Sequence, residues 1–195
     1  MRWRVLEAFG EAIEQEGVPR VPDFNTGDNF GAGYFQVNQK HGRRWSAARG
    51  FLKPALRRAN VKLETHAHVS AVVIESGRAT GVRYVQDGGT KTALARREVV
   101  LSAGAVGTPH LLELSGIGDG ARLAALGVGT HAHRPGVGEN LQDHLQLRTI
   151  YKVSGVPTMN AMYASLWRRP LMALEYALFR RGPMSMAPSQ YGAFA

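Results

Sequence analysis

The run SAGAVG at residues 102–107 follows a short apolar stretch, Val99 to Leu101, and leads into a helical pattern. Small side chains at a strand end let a ligand approach the backbone closely, and the N-terminus of the next helix favours negative charge. In an open parallel sheet, ligands bind at the carboxyl ends of strands. The same residues also suit a tight strand-to-helix turn with no ligand. The residues alone do not separate these two readings.

The seven histidines are the other groups with chemistry to offer. His66 and His68, like His131 and His133, are spaced to share one face of a strand. Two donors are too few for zinc, and the chain has no Cys to complete a set. The expected role is that of strand histidines at the surface or in satisfied contacts. Asp143 and His144 are adjacent, a poor arrangement for a catalytic dyad, and no G-x-S-x-G elbow occurs. His144 is expected to anchor a loop, and no metal site is expected.

These groups must be positioned by a mixed α and β scaffold. Val5, Leu6, Phe9 and Ile13 recur at helical spacing, and Gly17 stands where a C-cap glycine would. Residues 18–45 are irregular, with one short strand expected at Gly33–Val37. Ser46 is placed to cap a helix to about Ala59, kinked or stopped early at Pro54. Val61–Thr65, His68–Glu75, Thr80–Gln86 and Thr90–Ala95 are β-branched runs divided by Ser76-Gly77 and Asp87-Gly88-Gly89, the pattern of an antiparallel meander. Glu98 to Ala103 is expected as a strand buried on both faces of a parallel sheet. Thr108-Pro109 opens a helix, and another runs from about Gly120 to Leu126. Gln146–Val153 alternates like a strand, Met159–Arg181 reads as one long helix, and the tail carries a possible strand start.

The chain has 195 residues, 44% of them hydrophobic, with 24 Lys+Arg against 15 Asp+Glu, a net charge of +9. That composition excludes wholesale disorder, collagen and coiled coil. The absence of Cys excludes disulfides, thiolate nucleophiles and iron–sulfur clusters. The positive charge favours phosphate-bearing partners. It is nevertheless scattered in pairs such as Arg43-Arg44 and Arg180-Arg181, without the block expected of a nucleic-acid arm. No transmembrane segment is expected, and the acidic residues Glu7, Glu11, Glu14 and Glu16 break any signal-peptide core. A cytoplasmic location, or a peripheral one at a membrane surface, is expected.

The longer runs carry more information. GAVGTPHLLELSGIG (104–118), followed by RPGVGENLQDH (134–144), resembles the glucose–methanol–choline (GMC) family of flavin-dependent alcohol oxidoreductases. The segments HGRRWSAARGFL (41–52), LETHAHVSAVV (63–73) and RRGPMSMAPSQYGAFA (180–195) are similar to family segments too. The resemblance implies an α/β (α+β) fold: part of a Rossmann-like FAD-binding domain with an antiparallel β-meander over 1–145, and the start of a substrate-binding domain over 146–195. It implies FAD as cofactor and a small-molecule alcohol as substrate, oxidised by hydride transfer to the flavin. Ala103 and Gly104 would lie against the FAD, Val69 would contact the adenine through its main chain, and Asn140 would sit near the domain boundary. Gln146 stands where choline-oxidising members usually carry Glu, which favours a neutral alcohol. Met184, Met186 and the Trp167 region suit an apolar substrate cavity, or plain helix packing.

The family's G-x-G-x-x-G fingerprint is absent, and its catalytic histidine lies in a C-terminal region this sequence does not reach. The expectation is therefore an interior piece, with no catalytic residue of its own, inactive alone and binding FAD weakly or not at all. The competing expectation is a non-catalytic basic module for nucleic acid or polyanions. The electron acceptor is not legible.

Overall fold

The structure, a computed structural model, describes residues 2–147, 150–187 and 189–195. They form two compact units, Met1–Val61 with Thr149–Ala195, and Lys62–Arg148. This division differs from the expected cut between 145 and 146, because the N-terminal residues share a sheet with the C-terminal ones.

In the first unit, helix α1 (Arg4–Gln15) ends at Glu16, and Gly17 takes the left-handed conformation that closes such ends (φ +89°). Strand β1 (Gly31–Tyr34) follows an irregular stretch. The hairpin β2 (Gln39–Lys40) and β3 (Arg43–Arg44) comes next, joined by His41 and Gly42, both at positive φ. Beyond it lie a π-helical turn (Ala48–Leu52) and the short α2 (Lys53–Ala55). The expected helix from Ser46 to Ala59 is thus cut short. Pro54 has no N–H to give Gly50, and the preceding turn widens instead.

Strand β1 pairs antiparallel with β9 (Tyr191–Phe194), Gly31 facing Phe194 and Tyr34 facing Tyr191. Segment 19–21 lies along its other side: the Val21 N–H donates to the Ala32 carbonyl at 2.9 Å, and the Ala32 N–H to the Pro19 carbonyl at 2.8 Å. Only glycine at 33 permits this, since a Cβ there would press on the Val21 carbonyl oxygen. Phe24 closes edge-on against Phe194 at 5.0 Å, and Tyr34 against Tyr191 at 4.9 Å. The Tyr34 hydroxyl donates to Glu7 of α1 at 2.9 Å.

The long helix expected over 159–181 is two helices, α5 (Met159–Ala164) and α6 (Arg168–Phe179). Pro170 cannot bond back to Leu166. Ser165 leaves the helical region, and its Oγ accepts from the Arg168 N–H at 3.3 Å, starting the second helix afresh.

In the second unit, β4 (His68–Glu75), β5 (Arg78–Gln86) and β6 (Gly89–Leu94) form the expected meander. Both turns, Ser76-Gly77 and Asp87-Gly88, have two positive-φ residues, the type I′ geometry that matches strand twist. Helix α3 (Gly104–Leu114) packs on β4. The buried Ser115 hydroxyl accepts from the Val72 N–H at 2.8 Å and donates to the Leu111 carbonyl at 2.6 Å. A small parallel pair, β7 (Ile117–Gly118) with β8 (Ala132–His133), brackets α4 (Gly120–Ala125), whose Leu123 is fully buried.

Three expected strands do not form. Val61–Thr65 and Val99–Leu101 pair with nothing among the described residues, and Val100 is 74% exposed. An apolar run becomes a sheet strand only beside strands that supply its hydrogen bonds. Of Gln146–Val153, residues 148 and 149 lie outside the described residues, and the others are not in a strand. Among the described residues no helix is long and apolar enough to cross a membrane.

Candidate functional site

The start of α3 is an open turn of the second unit. Ala103 (φ −87°, ψ 8°) leads into Gly104 at φ +85°, and a Cβ built on Gly104 meets nothing within 4 Å. No side chain caps this helix. The sequence suggested Thr108 as the cap of a helix starting there. Instead α3 begins five residues earlier, and the Thr108 Oγ1 accepts from the Ala103 N–H at 3.1 Å, fixing the bend from inside.

Helix α4 makes the contrast. Its first turn is fully engaged: the Asp119 carboxylate accepts from the Ala121 N–H at 2.8 Å and the Arg122 N–H at 3.1 Å, and His133 Nδ1 accepts from the Gly120 N–H at 3.0 Å. The bonds from Arg122 and then Ala121 hold the Asp119 carboxyl below the usual carboxylate range. Helix α4 has its donors satisfied by protein, whereas α3 presents its positive end to the outside. That end is electropositive and open in space.

The loop of the GVGEN run is tied to the far end of α3. The Arg122 guanidinium donates from Nη1 to Glu139 at 3.0 Å and from Nη2 to the Val137 carbonyl at 3.1 Å, and it also bonds Glu113 of α3. The Glu139 bond and the Glu113 charge raise the arginine's pKa still further. Glu139 sits between two left-handed residues, Gly138 (φ +82°) and Asn140 (φ +56°). The clamp therefore fixes a loop that turns sharply on both sides of it. Arg122 was not found from the sequence, and Ser115 stood there only as one position of the GAVGTPHLLELSGIG run with no role assigned, because each acts on residues brought near only by folding.

Val69 lies half-buried on β4 opposite Tyr84, where the register slips between Val69 and Ala71. Ala103, Gly104, Asn140 and Gln146 are exposed. All five residues belong to the second unit, and none hydrogen-bonds another. That unit's cavity of about 280 Å³, between Val72, Ser115 and His131, contains none of them. Among the histidines, His133 is consumed in capping α4. Asp143 accepts from the His144 backbone N–H at 2.8 Å, which engages it with the main chain. Among the described residues no three potential ligands gather as a metal site. Met184 and Met186 do line a common cavity in the first unit, without Trp167.

The sequence profile of the GMC oxidoreductase family matches residues 4–146, which spans α3, the meander and the GVGEN loop. The chain belongs to the GMC oxidoreductase family. Within this GMC family the human mitochondrial choline dehydrogenase is 40% identical over 187 residues, covering 96% of this chain and 31% of that protein. The oxygen-dependent choline dehydrogenase of Rhizobium johnstonii is 45% identical over 142 residues, covering 73% and 26%. A solved fungal aryl-alcohol oxidase superposes with a TM-score of 0.86 at 26% identity, covering 98% of this chain and 33% of that one. This GMC chain thus spans about a third of the length of the human relative. The α/β class is that of a piece of a GMC FAD-binding fold, and FAD is the cofactor the family indicates.

Proposed function

We propose that this chain is the flavin-facing part of an FAD-dependent oxidoreductase acting on the CH–OH group of an alcohol. The observation that carries the reading is the uncapped, glycine-opened start of α3, lying inside the matched family segment. FAD, when bound, supplies the hydride acceptor. The chain's own contribution is positional. Ala103 and Gly104 offer backbone to the flavin without a side chain in the way, and Asn140 faces it from the loop clamped by Arg122. Val69 meets the adenine through its main chain. No residue of this chain is assigned as catalytic base, and activity is expected only alongside the remaining parts of such an enzyme.

The family match stops at residue 146, which supports ending the FAD-binding part near 145 and beginning the substrate-binding part at 146. A location in the cytoplasm, or peripheral at a membrane, belongs to the same proposal.

Titration of the purified chain with FAD, followed by quenching of flavin fluorescence, tests the reading. Weak saturable binding is expected, with Kd above about 10 μM because no diphosphate fingerprint is present. Gly104→Val should weaken it about tenfold, about 1.4 kcal/mol. Gly127→Val, equally strained at φ +74° but outside the bend, should not. No quenching up to about 1 mM FAD, or equal loss in both variants, overturns the assignment.

For the substrate, the neutral amide of Gln146 supports an uncharged alcohol, since it supplies no ion pair to a cation. The names of the two relatives favour choline as the second reading. A Gln146→Glu variant separates them. Under the neutral-alcohol reading the wild-type chain binds choline no better than its neutral isostere, and the variant gains affinity for choline alone.

A further inference from the structure

We propose that the first unit carries a second anion site, formed by Arg43, Arg44 and Arg49, that takes the phosphate group of a small organic phosphate. It is separate from the flavin reading and lies in the other unit from Gly104.

Arg43, Arg44, Ser46, Arg49 and Tyr176 line one cavity of about 520 Å³. Some arginines of this unit are matched by acids: Arg20 contacts Glu7 at 3.4 Å and Glu14 at 3.2 Å, and Arg181 contacts Glu175 at 3.4 Å. Among the described residues, Arg43, Arg44 and Arg49 enter no ion pair. Three like charges around one hollow repel, and the fold nevertheless holds them there.

The holding is specific. The His41-Gly42 turn sets Arg43 and Arg44 in register on β3. Gly42 lies so close to the Arg180 carbonyl that no Cβ would fit, which seats the hairpin on the end of α6. Arg49 sits in the π-helical turn, a rare geometry found often at functional sites. Its guanidinium donates to the Arg44 carbonyl at 3.3 Å, folding back onto β3. Three arginines, with Ser46 and Tyr176 lining the same cavity, match a dianionic tetrahedral oxyanion better than a single carboxylate.

A neighbouring cavity of about 520 Å³ shares Arg44 and Tyr176 and continues along Val37, Met184 and Met186. It has the size and partly apolar walls to receive the organic body attached to the phosphate. A phosphate ester is therefore favoured over free phosphate.

Calorimetric titration of the full chain with inorganic phosphate and with phenyl phosphate tests this. Phenyl phosphate should bind saturably below about 1 mM and more tightly than inorganic phosphate. Arg49→Ala and Arg44→Ala should each weaken it about tenfold or more. Arg96→Ala, at a basic pair in the other unit, should leave it unchanged. Should Arg44→Ala fail to fold, Arg49→Ala and a Tyr176→Phe variant with reduced affinity carry the test. Absence of saturable binding overturns the proposal, as does equal loss in the Arg96 control. Binding of an oligothymidylate that phenyl phosphate does not displace also overturns it, in favour of a nucleic-acid surface. None of these outcomes bears on FAD titration at the Gly104 bend.

Discussion

Strands β4, β5 and β6 are closed by two-residue turns, whereas β1 meets β9 across nearly the whole chain. Glycine serves opposite purposes in the two sheets. Gly77 and Gly88 turn the chain where there is open space around them, and their value is a positive φ. Gly33 lies on extended backbone, and its value is the absence of a Cβ beneath the Val21 carbonyl. The meander therefore depends on local conformation, and the β1–β9 pair on close packing by segments distant in sequence. Local order is set by residues next to one another, while the second kind fails when any one layer is pushed out.

The sharpest way to break this contrast is Gly33→Val. The added side chain meets backbone rather than a flexible side-chain end. A loss of about 3 kcal/mol is expected, with hydrogen exchange rising over 19–34 and 190–194 while β4–β6 stay protected. Equal loss of protection in the meander would show that the two sheets do not fail independently.

Ser115→Ala comes next. It leaves the buried Val72 N–H without an acceptor, so about 2 kcal/mol should be lost in a thermal or urea melt. Ser115→Thr, which retains the oxygen, should lose less.

Gly77→Ala is smaller, about 1 kcal/mol, because only the left-handed turn is strained and nothing is crowded. A value near that of Gly33→Val would mean that the turn is packed as well as bent.

The smallest effect concerns Asp119. Its carboxyl titrates lower in the folded chain than in the unfolded one, so its contribution is full above the unfolded pKa. That contribution is lost as pH falls through the lower, folded value. Amide resonances of Ala121 and Arg122 should therefore shift only in acid, below about pH 4. Asp119→Asn should flatten that titration, and a midpoint at or above the ordinary aspartate value would contradict the capping geometry.

The same contrast governs how much was legible. The meander was readable because β-branched runs and Ser76-Gly77 and Asp87-Gly88 are local signals, and α1 with its Gly17 stop was readable for the same reason. Of the proposed site, Gly104 and Asn140 stand in runs that the sequence singled out, but the Arg122 clamp joining α3 to the GVGEN loop does not. Nothing near Arg122 in sequence announces Glu139. The misread elements share a cause. Pro170 divided an otherwise helical pattern, and Val99–Leu101 carried the composition of a buried strand without neighbours to bury it.

The chain order of small, branched and turn residues determined the hairpins, the bend at Gly104 and the family. The pairing of β1 with β9, the open rather than capped start of α3, and the gathering of Arg43, Arg44 and Arg49 around one hollow were decided by tertiary structure. Those features depend on distances between residues far apart along the chain, and hydrophobic pattern and spacing carry no information about such distances until the backbone has closed.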